Sequence, residues 1–241
     1  MTAAGEGIIA SVTDGLTALL EDGRTLRLAG IDVPGVEVTP NTDGHAFRAR
    51  EIVQTFSSGA LLTLRRVEGE HERDRYGRIR AHVFVGAGHS ERWLQRVLVA
   101  AGHARVAARV GERACAAALL REERAARAAK LGLWGDPYYV VRSAERASEL
   151  RAERGRFTII EGRVLSVRES GGTVYVNFGR QWTEDFTVTI AKRNERIFVA
   201  AGLEPKTLAG RRVRVRGWVE ERGGPWIEVT RPEQIEVAEL E

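Results

Sequence analysis

The sequence predicts a β-rich α+β protein: two five-stranded barrels with added helices, joined by a charged helical linker. Three observations predict it. Short apolar strands separated by Gly- and Asp-rich turns fill both ends of the chain. Each half reads as three strands, a helix, then two strands. Between them lies VRSAERASELRAERG at 141–155, charged and poorly amphipathic. The 241 residues suffice for two domains that bury their own cores.

In the first half, Ile8 to Val12 is apolar enough for a strand. Asp14-Gly15 is a turn signal, Thr17 to Leu20 a second strand, Asp22-Gly23 a second turn, and Thr25 to Ile31 a third strand. Residues 32–44 form a loop rich in Pro, Gly, Asn and Asp. From His45 to Phe56 the period becomes helical, with Ala49, Ile52, Val53 and Phe56 on one face. Leu61 to Val67 and Ile79 to Val85 flank a charged hairpin. Ser90 is a candidate N-cap for a helix whose buried stripe is Leu94, Val97, Leu98 and Ala101, stopped by Gly102. An alanine-rich helix follows over about 111–130.

In the second half, Phe157 to Val167, Thr173 to Phe178 and Asp185 to Ile190 read as strands. A short helix near 193–201 precedes strands at Arg212 to Val219 and Pro225 to Val229. This order is that of the Greek-key OB barrel in both halves. The expected domains are 1–138 and 156–241, with 139–155 as linker.

Composition excludes several classes. The chain holds one cysteine, Cys115, so neither an internal disulfide nor a cysteine-based zinc site is available. No apolar run approaches the roughly 18 residues of a membrane span. No secretory signal is visible at the N-terminus; the compartment is cytoplasmic if the chain is complete, periplasmic or secreted if a leader was removed. The net charge is +4, which permits a phosphate-binding patch without requiring one.

Three segments carry chemistry: TDGLT at 13–17, LRLAGIDVP at 26–34 and DRYGR at 74–78. In this order, with a helix between the last two, residues 7–138 resemble the staphylococcal nuclease family. AGHARV at 101–106 and KLGLW at 130–134 stand where that family has its closing motifs. The resemblance implies calcium-dependent phosphodiester hydrolysis. A hard cation needs converging carboxylates, two arginines hold the phosphate, and a glutamate activates water. On that resemblance, Arg27 and Arg78 are the phosphate arginines and Asp32 a calcium ligand, with the Val33 carbonyl beside it. Leu16 stands where the second metal carboxylate belongs, and Gly35 where the general base belongs. Leucine cannot ligate calcium and glycine cannot accept a proton. Glu37 or Asp43 could stand in from a shifted position. Without the resemblance, Asp32 reads as a turn cap, Arg27 as a cross-barrel ion pair, and Arg78 as one more arginine in a hairpin holding Arg73, Arg75 and Arg80.

The segment TVYVNFGRQWTEDFTVTI at 173–190 resembles a bacterial OB-type module appended to nucleic-acid proteins. Such barrels stack bases on aromatics in a basic groove. Tyr175, Arg180, Trp182, Lys192 and Arg193 are the candidate contacts. Alternation puts Val174, Val176 and Phe178 on one face, so Phe178 belongs to the core and Trp182, in a loop, is the better platform. Residues 156–218 hold 12 basic and 6 acidic side chains, and 219–241 reverse the balance with 2 against 7. The five histidines fall on separate elements without metal spacing. The expected function is a nucleic-acid-binding homologue, for single-stranded DNA or RNA, with impaired or absent hydrolysis. An active calcium nuclease and a protein-interaction scaffold are the alternatives.

Overall fold

The computed structural model describes residues 1–35, 44–67 and 73–238. They form a mixed α+β fold with four hydrogen-bonded sheets and five α-helices. The chain divides into two units, Met1–Tyr138 and Tyr139–Glu241.

The first unit opens with β1 (Thr2–Gly7), β2 (Ile9–Val12), β3 (Thr17–Leu20), β4 (Thr25–Leu28) and the short β5 (Ile31–Asp32). Then come α1 (His45–Ser57), β6 (Leu62–Arg66), β7 (Ile79–Val85), β8 (Arg92–Trp93), α2 (Leu94–Ala100), β9 (Arg105–Val106) and α3 (Arg113–Ala128). The main sheet runs β1-β6-β7-β4-β3-β2, with β8 on β7 and a separate β5-β9 ribbon. Only Ile8 separates β1 from β2, so the path begins and ends on one nearly continuous stretch of chain.

Turn chemistry sets the β3–β4 hairpin. Gly23 takes φ +83, which a side chain disfavours, and the Asp22 carboxylate accepts the Arg24 backbone N–H at 3.0 Å and its Nε–H at 2.7 Å. Leu20, Leu26, Leu28, Leu62, Leu64 and Ile79 fill the core with Ala49 and Val53 of α1. A Cβ on Gly15 would lie 2.7 Å from the Ala49 Cβ, so only glycine lets the 13–17 turn sit against α1. The helix expected from Ser90 instead starts at Leu94. Residues 92–93 are drawn into the sheet as β8, and the buried positions of α2 are Leu94, Gln95, Leu98 and Val99. Gln95 is buried because it serves the backbone: its Oε1 accepts from Val83 N at 3.1 Å and its Nε2 donates to the Ala81 carbonyl at 2.9 Å.

The second unit contains β10 (Arg142–Ser143), α4 (Ala147–Arg151), β11 (Phe157–Arg163), β12 (Ser166–Ser170), β13 (Thr173–Asn177) and β14 (Thr187–Ala191). It continues with α5 (Glu195–Ala200), β15 (Arg212–Trp218), β16 (Glu220–Arg222), β17 (Gly224–Glu228) and β18 (Ile235–Val237). Its sheets run β10-β11-β15-β18 and β12-β13-β14-β17-β16. The strand read as continuous from Phe157 to Val167 breaks after Arg163. Val164 N donates to the Arg211 carbonyl and Leu165 N to the Asn177 carbonyl, so β11 and β12 join different sheets.

The segment read as a helical linker differs from that expectation. Only Ala147–Arg151 is α-helical. Residues 142–143 pair in parallel with β11, and Ala144 and Leu150 lie in the second core. Buried Glu153 holds Arg142 at 2.9 Å and Arg156 at 2.8 Å. Charge density concealed these few anchoring side chains in the sequence. Phe178 is in the core as alternation requires, 5.0 Å from Phe186 between ring centroids.

Candidate phosphate site

Arg78 is placed by a turn. The Asp74 carboxylate accepts three hydrogen bonds: from Tyr76 N at 2.9 Å, from Arg78 N at 3.1 Å, and from Arg78 Nε at 2.7 Å. Gly77 takes φ +76 to close the loop. Burial opposes the Asp74 charge, but hydrogen bonds from Arg78 and Tyr76 outweigh it and hold its carboxyl below the usual range. Arg78 also stacks 4.9 Å from the exposed Tyr76 ring, which Arg75 covers at 4.7 Å.

Arg27 is placed by strand alternation. Leu26 and Leu28 on either side of it are buried at 1% and 5% exposure, so Arg27 faces away from the core. Its register partners are Thr17 on β3 and Arg80 on β7. Arg78 immediately precedes β7, in the turn that leads into the strand paired with Arg27's own. Among the described residues Arg27 has no ion pair.

The acidic half of the site is built differently. β5 pairs with β9 in the register Asp32↔Arg105, and Asp32 Oδ2 accepts from both Nε and Nη2 of Arg105 at 2.8 Å. Leu16 is 2% exposed and belongs to the core. The apolar space that it lines with Ile9, Leu26, Leu28 and Val53 is too small for a water molecule. Gly35 takes φ +87, where a glutamate side chain would be strained. Glu37 and Asp43 lie outside the described residues.

Residues 25–136 match the family model described as staphylococcal nuclease homologue. The chain carries a staphylococcal nuclease homologue domain. A domain of this family suggests a nuclease-like or nucleic-acid-binding function, and the family is generally calcium-dependent. No curated protein matches the chain. The nuclease-homologue domain does not offer calcium a fitting cage from its described residues. Asp32 is committed to Arg105, Asp14 Oδ1 accepts from Leu16 N at 2.7 Å, and no group of three His, Cys, Asp or Glu side chains is placed to hold an ion among the described residues. No described helix is long and apolar enough to cross a membrane.

Sequence reasoning missed two features of the nuclease-homologue domain. Arg105 is 73 positions from Asp32, and no local pattern couples them. The histidines, read as separate, partly converge: the His45 and His103 rings are 5.8 Å apart, and His45 Nε2 is 3.9 Å from Asp136. Desolvation lowers both histidine pKa values.

In the second unit the five candidate contacts do not form one cluster. Tyr175 sits mid-sheet, in register with Arg168 and Thr189. Arg180 and Trp182 precede β14, whereas Lys192 and Arg193 follow it, so the strand's five residues, about 17 Å, lie between the pairs. Lys192 is held by Glu169 at 2.7 Å and Glu195 at 3.0 Å. Arg180 and Arg193 are exposed. Trp182 is 68% exposed, and its ring edge rests on Gly223, where a Cβ would lie 3.1 Å away. One face is thus anchored by a hairpin tip. Trp218 is 59% exposed, edge-on to Phe157.

Proposed function

We propose that the nuclease-homologue domain is a phosphate-binding module for nucleic acid whose hydrolytic activity is severely reduced or absent. One observation carries the reading. The acid that should meet a metal, Asp32, is tied to Arg105 at 2.8 Å, while Arg27 has no counter-ion among the described residues. A site with its carboxylate neutralised and its guanidinium open attracts phosphate but cannot generate a nucleophile. Buried Leu16 and left-handed Gly35 support the same conclusion, because groups that act as a unit are not independently dispensable.

On this reading both units are OB-type barrels. The β1-β6-β7-β4-β3-β2 path, which returns to its own first strand across Ile8, supports this for the first. The second unit binds single strands, DNA or RNA, by stacking on Trp182 with Arg180 beside it.

Two measurements test the proposal. Fluorescence anisotropy with labelled single-stranded DNA and RNA at two salt concentrations should show binding that weakens as salt rises. Digestion in calcium against EDTA should show no calcium-dependent cleavage. Calcium-dependent cleavage that Arg27→Ala abolishes would mean an active nuclease. No binding at low salt would favour a protein-interaction scaffold.

A further inference from the structure

We propose that Arg80 is a third guanidinium of the phosphate site, and that the row it forms with Arg27 takes a phosphate dianion, the terminal phosphate of a nucleic-acid strand. The proposal rests on the nucleic-acid reading above and adds a residue and a ligand class to it.

The register is the starting point. β4 and β7 pair in parallel as Leu26↔Ile79, Arg27↔Arg80 and Leu28↔Ala81. Leu26, Leu28, Ile79 and Ala81 are all at most 5% exposed and fill the core. Arg27 and Arg80 therefore stand side by side on the opposite face, on strands about 4.8 Å apart. Like charges directly opposite each other destabilise a sheet, so this pair costs the fold something unless an anion joins it.

Several neighbouring arginines already have an acid on them. Arg78 is met by Asp74 at 2.7 Å, Arg105 by Asp32 at 2.8 Å, and Arg65 by Glu91 at 2.5 Å. Arg27 and Arg80 have no such partner among the described residues. The same row continues onto β3, where Thr17 faces Arg27. Thr17 is 7% exposed, and its Oγ1 has no hydrogen-bond partner among the described residues. Arg27 thus stands between an uncompensated guanidinium on β7 and, on β3, a threonine whose hydroxyl is unpaired.

The rest of the β7 face is already covered. His82 and Phe84 are buried, with Trp93 stacked 5.9 Å from Phe84. Two uncompensated positive charges match a phosphate monoester, which carries about −1.5 to −2 at neutral pH. An internal phosphodiester, with one negative charge, would leave one guanidinium unmatched. Guanidinium forks suit phosphate oxygens in a way an ammonium does not.

The test uses the full chain in EDTA and internally labelled single-stranded DNA with a 5′-phosphate, a 3′-phosphate or hydroxyl ends. Wild type should bind a phosphorylated strand about tenfold more tightly than the hydroxyl-ended one. Arg80→Gln should lose that preference yet keep its affinity for the hydroxyl-ended strand, whereas Arg121→Gln on α3 should match wild type. Arg80→Lys, which keeps charge without the fork, should recover part of the preference. Arg80→Gln should melt at or above the wild-type temperature, since it relieves a like-charge pair. A preference unchanged in Arg80→Gln overturns the proposal. Equal weakening on all three strands overturns it too, because it assigns Arg80 to internal phosphodiesters. If wild type binds no DNA, the nucleic-acid reading falls, and inorganic phosphate then decides the row. Thermal stabilisation by phosphate that Arg80→Gln abolishes sustains the anion site, and none overturns it.

Discussion

Restoring a carboxylate at position 16 should unfold the nuclease-homologue domain rather than revive it. Leu16 is 2% exposed and packs in the core with Leu26, Leu28 and Val53. Removing a buried leucine side chain costs about 2–5 kcal/mol. A carboxylate there has no room for a water beside it, and an uncompensated buried charge adds about 3 kcal/mol or more. The sum for Leu16→Asp is about 5 kcal/mol or more, against a total domain stability of about 5–15 kcal/mol. Gly35→Glu adds about 1 kcal/mol from its φ of +87. The assay is urea unfolding of wild type, Leu16→Ala and Leu16→Asp, each with and without calcium. Leu16→Asp should be less stable than Leu16→Ala at neutral pH and approach it in acid. The folded-state pKa of the buried acid is raised, so its penalty is absent below the unfolded carboxyl pKa and grows as pH rises. Calcium should not rescue it, whereas a reconstituted site at 100 times its Kd would regain about 2.7 kcal/mol. A Leu16→Asp protein within about 1 kcal/mol of wild type, or one that calcium stabilises, would refute the argument that this position now belongs to the core.

Four further outcomes follow from the geometry. Arg105→Ala should cost about 1–3 kcal/mol by leaving half-buried Asp32 without its two-nitrogen partner, read by urea unfolding at neutral pH. Asp74 has a lowered folded pKa, so its contribution is present above its ordinary value of 3.8 and lost as pH falls through the folded value; Asp74→Asn should flatten the acid limb of a stability-against-pH curve. His103 is also lowered, mainly by desolvation, so the fold is favoured above 6.5 and weakened as pH drops through the folded pKa; His103→Asn should shrink that loss in thermal melts taken across the interval. Trp182→Ala should weaken single-strand binding by about 1–3 kcal/mol without moving the melting temperature, because the ring is 68% exposed.

The residues of the candidate site were readable one by one, but their state was not. The resemblance of three segments to a known family pointed to Arg27, Asp32 and Arg78, and against that family's pattern Leu16 and Gly35 stood out as substitutions. That Leu16 is core, that Gly35 holds a left-handed backbone, and that Asp32 has an arginine on it are facts of packing and register. In the second unit, choosing Tyr175, Arg180, Trp182, Lys192 and Arg193 by proximity in sequence joined groups that β14 holds apart.

By itself the sequence determined longer strands such as β3, β6, β7, β13 and β15, the helices flanked by Gly stops and the inward face of β13, because these depend on side-chain period and backbone preference over a few residues. Tertiary structure alone decided which distant charges meet. Arg105 reached Asp32 through the β5-β9 ribbon, and Arg80 came opposite Arg27 through a parallel pairing more than 50 residues apart in sequence. It also turned the charged 139–155 segment into part of the second unit by burying Ala144, Leu150 and Glu153. The physical reason is the same throughout. Local propensity acts within a turn of chain, whereas the neutralisation of a charge depends on whichever group the fold brings within about 3 Å of it.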